Sequence, residues 1–345
     1  MFKYLATIVR FLATLQLLPA LESGEETLVG GQAVMEGVMM RTPHAWGIAV
    51  RNPSGEVVVH REPLERLSEK HKWLGWPLVR GIATLGQAMS LGFRALKFSA
   101  NVALEGIAGE SKDKDKEQKI EISGWVAAVN VLFSVAFFIF MYKFIPLLAA
   151  TELKRHFAVF SGQIAFNVVD GAIRIALFLL FIWGISRFKD IHRVFEYHGS
   201  EHKTVFAFED HKDLTAENVQ QYSTYHPRCG TSFLMTVMLI SIVVYTLIPV
   251  TTFWARFGIR IALLPVIAAV SYEMIRFAGQ LQRRAAAGAS RGVGSALFLL
   301  LTRPGMWLQR ITTQPPADAQ VECAIRALNE AMELEKTRGG ELIIA

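Results

Sequence analysis

Four long apolar segments constrain the fold of this chain more strongly than any other feature of its sequence. They cover residues 125–148, 164–185, 233–253 and 259–277. A helix needs roughly 20 apolar residues to cross a bilayer, and each segment is close to that length. Such segments fold as helices because the bilayer core offers the backbone no water to hydrogen-bond. The sequence therefore predicts a mainly α membrane protein with about four transmembrane helices.

The composition agrees with a membrane protein. The 345 residues are 52% hydrophobic and only 19% charged, whereas soluble domains are roughly 25% charged. The net charge of +6 fits basic loops at a membrane surface. The sequence contains no stripe of basic residues with interleaved aromatic residues, which would indicate nucleic-acid binding. We therefore expect the lipid bilayer as partner, with other membrane proteins as further candidates and no nucleic acid.

The distribution of lysine and arginine predicts the orientation of the chain. Basic residues are frequent in the insertion at 187–231 and again after residue 277. The two short turns on the opposite side carry fewer, although Lys154 and Arg155 oppose the trend. Four crossings return the chain to its starting side. We therefore expect both termini and the insertion to lie in the cytoplasm.

The residues ahead of the first apolar segment predict two smaller elements. Residues 1–27 show a helical period, which predicts an amphipathic helix on the membrane surface. A cleaved signal peptide is the alternative, but Arg10 interrupts its apolar core. Residues 28–62 predict a small N-terminal β unit on the cytoplasmic side. In it, "AWGIAVR" and "EVVVHR" predict a hairpin, and "VGGQAVMEGVMMR" predicts one further strand, with Glu36 as an edge or turn carboxylate.

Changes in polarity divide the rest of the chain. Residues 63–124 predict interfacial helices, with one helix over 73–108, followed by a charged linker. Residues 125–277 make up the four-helix transmembrane region. Residues 278–345 predict an interfacial segment, which includes the short run "SALFLLL", and a C-terminal amphipathic helix.

The stretch "HGSEH" at residues 198–202 predicts a metal site. On a helix, His198 and His202 share a face and could bind one metal ion. Glu201 would lie beside that ion and act as the general base toward its bound water. However, Gly199 and Ser200 are weak helix formers. The alternative is therefore a loop that carries two hydrated histidines.

Further ligand residues are predicted to project to the same membrane face. His226 and Cys229 lie in "HPRCGTSF", just before the third apolar segment, and are good zinc ligands. Glu273 lies in the fourth segment, about one turn from its cytoplasmic end, where a carboxylate is costly and indicates a function. Each of the three residues has a structural alternative. His226 could be a turn residue, Cys229 could be a small buried hydrophobic residue, and Glu273 could form an ion pair with Arg276 or Arg228.

A charged pair lies within the second apolar segment. Asp170 and Arg174 are four residues apart, so they would meet on one helix face. They lie toward the opposite membrane face from the histidines. We interpret them as neutralising each other.

Several motifs together resemble the YqhQ family of bacterial membrane proteins. They are "GGQAVMEGVMMR", "EYHGSEHKTVFAFE", "HPRCGTSF" and "RPGMWLQRITTQPPADAQVECAIRALNE". The resemblance covers nearly the whole chain from residue 28 and implies a multi-pass protein of the bacterial cytoplasmic (cell) membrane. The family has carried the label of a predicted metal-dependent enzyme, and the resemblance supplies no established activity. A much thinner resemblance to inverted zinc peptidases rests on His198, Glu201 and His202 only, with Glu273 as the downstream third ligand that it implies.

The sequence leaves two functions open, and with them the question of whether this protein is an enzyme. The first is a metal-dependent hydrolase that acts on a peptide or a lipid-linked group near the bilayer surface, with zinc as the metal that the ligand chemistry favours. Its third ligand would be one of Glu273, His226 and Cys229. The second is a non-catalytic accessory or scaffold factor in membrane-protein assembly or biogenesis, with a structural histidine cluster. A transporter fits less well because the spans are few and no inverted repeat is present.

Overall fold

The computed structural model describes residues 29–65, 70–108, 124–226, 229–286 and 293–338. These residues are mainly helical, with a small four-stranded antiparallel sheet near the N-terminus. The chain divides into two compact units. The first comprises 1–110, 186–229 and 309–345, and the second comprises 111–185 and 230–308. The helix predicted over 1–27 and most of the charged linker lie outside the described residues.

The helices of the described residues alternate with short turns. They are α1 Val79–Ala108, α2 Gly124–Ile139, α3 Ile145–His156, α4 Gln163–Ile185, α5 Lys189–Glu209, α6 Ala216–Gln220, α7 Gly230–Thr246, α8 Phe253–Ala262, α9 Leu264–Ala286, α10 Val293–Thr312 and α11 Asp318–Arg338. A π-helical turn, Phe140–Phe144, joins α2 to α3 without a break in the helix.

The sheet has the strand order β1-β2-β3-β4, and all its neighbours are antiparallel. Its strands are β1 Gly30–Val34, β2 Gly37–Arg41, β3 Ala45–Arg51 and β4 Val57–Pro63. The predicted β unit and its hairpin are confirmed. The single strand predicted ahead of the hairpin is instead two strands, because Glu36 adopts a positive φ of 54° and reverses the chain. Glu36 is therefore a turn residue.

Helices cover both faces of this sheet, and successive side chains along a strand point to opposite faces. Val38 and Met40 of β2 pack in one cluster with residues of α5 and α11. Met39, between them, points to the other face, where it packs with Leu91 and Ala95 of α1. The C-terminal amphipathic helix predicted from the sequence is thus present as α11, and its apolar side is part of the core of the first unit.

The second unit contains the apolar helices. Two helices, Val129–His156 and Gln163–Ile185, are long and apolar enough to cross a membrane. The helices Phe253–Ala262 and Leu264–Phe277 are bent by 49° relative to each other. If the two together form one span, they make a third candidate. By length and composition, the described residues thus contain two or three candidate spans rather than the four that the sequence predicts.

Prolines account for this difference. The third predicted segment forms a helix of only 17 residues, Gly230–Thr246, and Pro249 follows shortly after its end. The fourth predicted segment is interrupted at Leu263, ahead of Pro265. Proline has no backbone N–H and clashes with the preceding turn, so it ends or bends a helix at these places. The short run "SALFLLL" lies inside α10, which continues to Thr312.

A buried carboxylate fastens α11 to the turn between β2 and β3. Glu335 accepts hydrogen bonds from the hydroxyl of Thr42 at 2.7 Å and from the backbone N–H of His44 at 2.8 Å. The ring of His44 lies 2.7 Å from its other oxygen. Burial by itself raises the pKa of Glu335, but the hydrogen bonds from His44 and Thr42 outweigh it and hold the pKa below its ordinary value.

We expect Glu335→Gln to destabilise the protein by about 1–2 kcal/mol at neutral pH, because the charge-assisted hydrogen bonds weaken. A carboxylate with a lowered folded-state pKa stabilises the fold above its unfolded-state pKa, and this contribution disappears as the pH falls through the folded-state value. The difference between variant and parent should therefore shrink below about pH 4. Thermal unfolding of both proteins in detergent at several pH values measures this difference in stability. Glu333→Gln, at an exposed position on the same helix, is the control and should have a smaller effect.

Candidate metal centre

The "HGSEH" stretch lies inside a continuous helix, α5, so the loop alternative is wrong. Packing explains the two weak helix formers. A Cβ on Gly199 would lie 2.1 Å from the carbonyl oxygen of Gln314, so only glycine allows that backbone to approach. Ser200 is buried and donates a hydrogen bond to the carbonyl of Tyr197 at 2.7 Å. Because the stretch is helical, the two histidines share one face.

Backbone carbonyls orient both imidazole rings. Nδ1 of His198 lies 2.7 Å from the carbonyl oxygen of Thr312, at the end of α10. Nδ1 of His202 is hydrogen-bonded to the carbonyl oxygen of Thr224. A carbonyl oxygen only accepts, so each Nδ1 must carry the proton, and a neutral ring then presents a lone pair at Nε2. Metal-binding histidines have this arrangement, in which the second nitrogen donates to a carbonyl or carboxylate.

Cys229 completes a group of three candidate ligand residues. The ligand atoms of His198, His202 and Cys229 all lie within 4.8 Å of one another, so this group could hold a metal ion. Nε2 of His198 is 3.2 Å from the Cys229 sulfur. Two imidazole nitrogens and one thiolate are a donor set that suits zinc.

The Nε2 atom of His202 distinguishes a metal site from a hydrogen-bonded cluster. A thiol hydrogen bond from Cys229 would satisfy Nε2 of His198. Nε2 of His202, however, is buried and makes no hydrogen bond within the part of the chain that the structure describes. Burial lowers the pKa of His202, so the ring is neutral at pH 7 and Nε2 is an acceptor. The oxygen that lies 3.4 Å away belongs to the carboxylate of Glu201, which is also an acceptor and so does not satisfy Nε2 of His202. The lone pair of that nitrogen could instead bind a metal ion.

Glu201 lies beside the three ligand residues and is not one of them. Its side chain is buried against β1, where a Cβ on Gly31 would lie 2.7 Å from Cγ of Glu201. Glycine at this position therefore gives the carboxylate its room. A buried carboxylate next to a metal ion can accept a proton from metal-bound water.

His226 is adjacent to the group but is outside it. Its ring centroid is 5.7 Å from that of His202, and burial lowers its pKa while the charge of Glu201 opposes that shift. The side chain of Gln309 binds both the backbone N–H and the carbonyl of His226, each at 2.7 Å. These two bonds hold the backbone of His226, three residues ahead of Cys229.

Glu273 lies on α9, in the second unit. Its side chain is buried. Its membership of the centre stays a prediction, as does a ligand role for His226.

Several residues that build the centre were not found from the sequence. Thr312 and Thr224 act through backbone carbonyls, which carry no residue-type signal. Gln309 and Gly31 have roles that depend on distant parts of the chain. The glycine-rich run around Gly31 was visible in the sequence, but its partner across the fold was not.

Comparison with known proteins identifies relatives without an assigned activity. A family model described as "Protein of unknown function (DUF1385)" matches residues 76–334. The "Uncharacterized protein YqhQ" of Bacillus subtilis (strain 168) is 32% identical over 308 residues, which cover 89% of this chain and 92% of that protein. No solved structure matches this chain. The resemblance predicted from the four motifs is confirmed.

We expect Gly199→Ala to destabilise the protein by about 2 kcal/mol or more, because its new methyl group must displace the backbone of Gln314. The matched control is Gly86→Ala, also within a helix, where a Cβ would meet nothing within 4 Å. That change should be neutral or stabilising by up to about 1 kcal/mol. Thermal unfolding of both variants in detergent tests this. Equal stability of Gly199→Ala and the parent would disprove the close approach.

Proposed function

The chain belongs to the DUF1385 family of proteins of unknown function, and from its candidate metal centre we propose a function for it. It is a membrane-bound hydrolase that depends on a zinc ion held by His198, His202 and Cys229. The observation that carries this proposal is the buried Nε2 of His202. It faces the Cys229 sulfur and the Glu201 carboxylate, and it has no hydrogen bond within the described residues.

The number of ligands supports catalysis over a purely structural role. Structural zinc sites use four protein ligands, whereas catalytic sites use three and leave one position for water. A zinc ion in such a site lowers the pKa of its bound water to about 7. Glu201 would then take the proton from the attacking water and return it to the leaving group, as a general base and acid. Thr312 and Thr224 would keep both imidazole rings in place during this exchange.

We place the protein in the bacterial cell membrane, with both termini and the 187–231 insertion in the cytoplasm. The two or three candidate spans support membrane insertion, and the lysines and arginines support the orientation. Helix α5 begins only four residues after the apolar helix α4 ends. A substrate near the bilayer surface, either a peptide or a lipid-linked group, fits this position in the chain.

Helix α1 supports contact between the first unit and lipid. One side of it packs on the sheet, while Ile82, Met89, Phe93 and Leu96 on another side are exposed. Arg94 and Lys97 flank this apolar side. A helix with an exposed apolar side and flanking basic residues is typical of a membrane interface.

The second candidate function is a non-catalytic accessory factor with a structural metal ion. The observation in its favour is that the centre joins three segments of the first unit. His198 and His202 lie on α5, Cys229 directly precedes α7 in the chain, and Thr312 ends α10. A metal ion there would fasten these segments together, as in small domains that fold around zinc.

We expect the untagged protein, purified in detergent, to contain about one zinc ion per chain, since three ligands in this arrangement form one site. His202→Ala and Cys229→Ala should each lose the metal. His192→Ala changes an exposed histidine on the same helix and should retain it. Metal analysis by mass spectrometry gives the ratios. Metal at the parental ratio in the His202 and Cys229 variants would refute the site.

Cobalt substitution separates the catalytic function from the accessory one. We expect the cobalt protein to show a thiolate-to-metal absorption band that Cys229→Ser removes and Glu201→Gln preserves. In the catalytic case, a small ligand such as acetohydroxamate should change the visible spectrum, because it can enter the open position. Glu201→Gln should then keep the metal and lose hydrolysis in a screen of peptide and lipid-linked esters. A spectrum that acetohydroxamate leaves unchanged would refute catalysis and favour the accessory role.

A further inference from the structure

A second group of charged side chains is buried within the second unit. Asp170 and Arg174 lie on α4, Arg260 lies on α8, and Lys143 lies in the π-helical turn between α2 and α3. Lys143 is 8% exposed, and the other three are more deeply buried. Their burial is a property of the unit itself and does not depend on the metal centre.

The single carboxylate of this group is shared by two arginines. One oxygen of Asp170 pairs with Arg174 and the other with Arg260. Arg174 also donates to the hydroxyl of Ser241 at 2.5 Å, and Arg260 donates to the side-chain oxygen of Asn167 at 3.1 Å. The expectation that Asp170 and Arg174 simply neutralise each other therefore misses the second arginine.

The ring of Tyr245 brings the three cationic side chains together. Lys143 Nζ and the guanidinium carbons of Arg174 and Arg260 lie 5.5, 5.5 and 5.1 Å from the ring centroid. Cations are attracted to the face of an aromatic ring at such distances. The hydroxyl of Tyr245 accepts a hydrogen bond from Lys143 at 3.2 Å and donates to the carbonyl of Arg260 at 3.1 Å.

The charges of this group do not balance. Three cationic side chains face one carboxylate, which leaves a surplus of two positive charges if all four are ionised. Buried charges are strongly destabilising unless they are compensated. Within the described residues, Lys143 has one hydrogen-bond acceptor for its three N–H groups, and Nε of Arg174 has none. Donors and positive charge in excess are the complement of an anion.

We propose that this group binds a small inorganic anion, such as chloride or phosphate, held by Lys143 and Arg174 beside the ring of Tyr245. The anion supplies negative charge. It also accepts hydrogen bonds from the N–H groups of Lys143 and Arg174 that have no acceptor within the described residues. The π-helical turn supports a role for Lys143, since such turns occur frequently at functional sites. Ionisable residues inside an apolar helical unit also mark ion and substrate sites in membrane proteins.

The test is thermal unfolding in detergent at constant ionic strength, with gluconate replaced stepwise by chloride and, separately, by phosphate. At tenfold excess over the dissociation constant, the parent should unfold roughly 3 °C higher than in gluconate alone. A rise with only one of the two anions identifies its class. Lys143→Met should abolish the rise. In gluconate it should unfold at or above the temperature of the parent, because it removes a buried surplus cation.

The control variant is Arg155→Gln, which removes an exposed cation from the same unit and should retain the anion response. An unchanged response in Lys143→Met, or a lower unfolding temperature of that variant in gluconate, would overturn the proposal in favour of a structural lysine. If Lys143→Met does not fold, saturable binding of radioactive chloride or phosphate to the parent decides the matter. Absence of both saturable binding and an unfolding shift in the parent would also overturn it.

Discussion

The hydrogen bonds from His198 and His202 to backbone carbonyls are the interaction on which the candidate centre depends. Because the carbonyls of Thr312 and Thr224 can only accept, they place the imidazole protons on Nδ1 and leave both Nε2 lone pairs on the side of Cys229. Each carbonyl belongs to a segment far along the chain from α5. The centre therefore forms only when these segments have packed against that helix.

That packing depends on small residues and on one buried carboxylate. Gly199 lets the Gln314 backbone reach α5, and Gly31 leaves room for the side chain of Glu201. Glu335 holds α11 to the sheet through Thr42 and His44. The C-terminal segment thus completes the first unit, and through the carbonyl of Thr312 it positions the ring of His198.

The two proposed sites arise from opposite electrostatic imbalances. At the candidate metal centre, Nε2 of His202 is a buried acceptor that has no hydrogen bond within the residues that the structure describes. In the second unit, Lys143 and Arg174 are donors with too few acceptors among the described residues. A buried polar group without a partner is costly, so each imbalance points to the charge of its missing ligand.

The mainly helical fold, the β unit and the candidate ligand residues His198, His202 and Cys229 could be predicted from the sequence. Apolar length, strand alternation and the His-x-x-Glu-His spacing are local signals, so they can be read without a structure. The sequence predicts four spans, whereas the described residues contain two or three candidates by length and composition, because hydropathy alone does not register how Pro249 and Pro265 end or bend a helix. The helical form of "HGSEH" and the approach of Cys229 to the two histidines are visible in the folded chain alone. Those outcomes depend on contacts with Gln314, Thr224 and Thr312, whose backbone atoms have the same chemistry in every residue and so leave no pattern in the sequence.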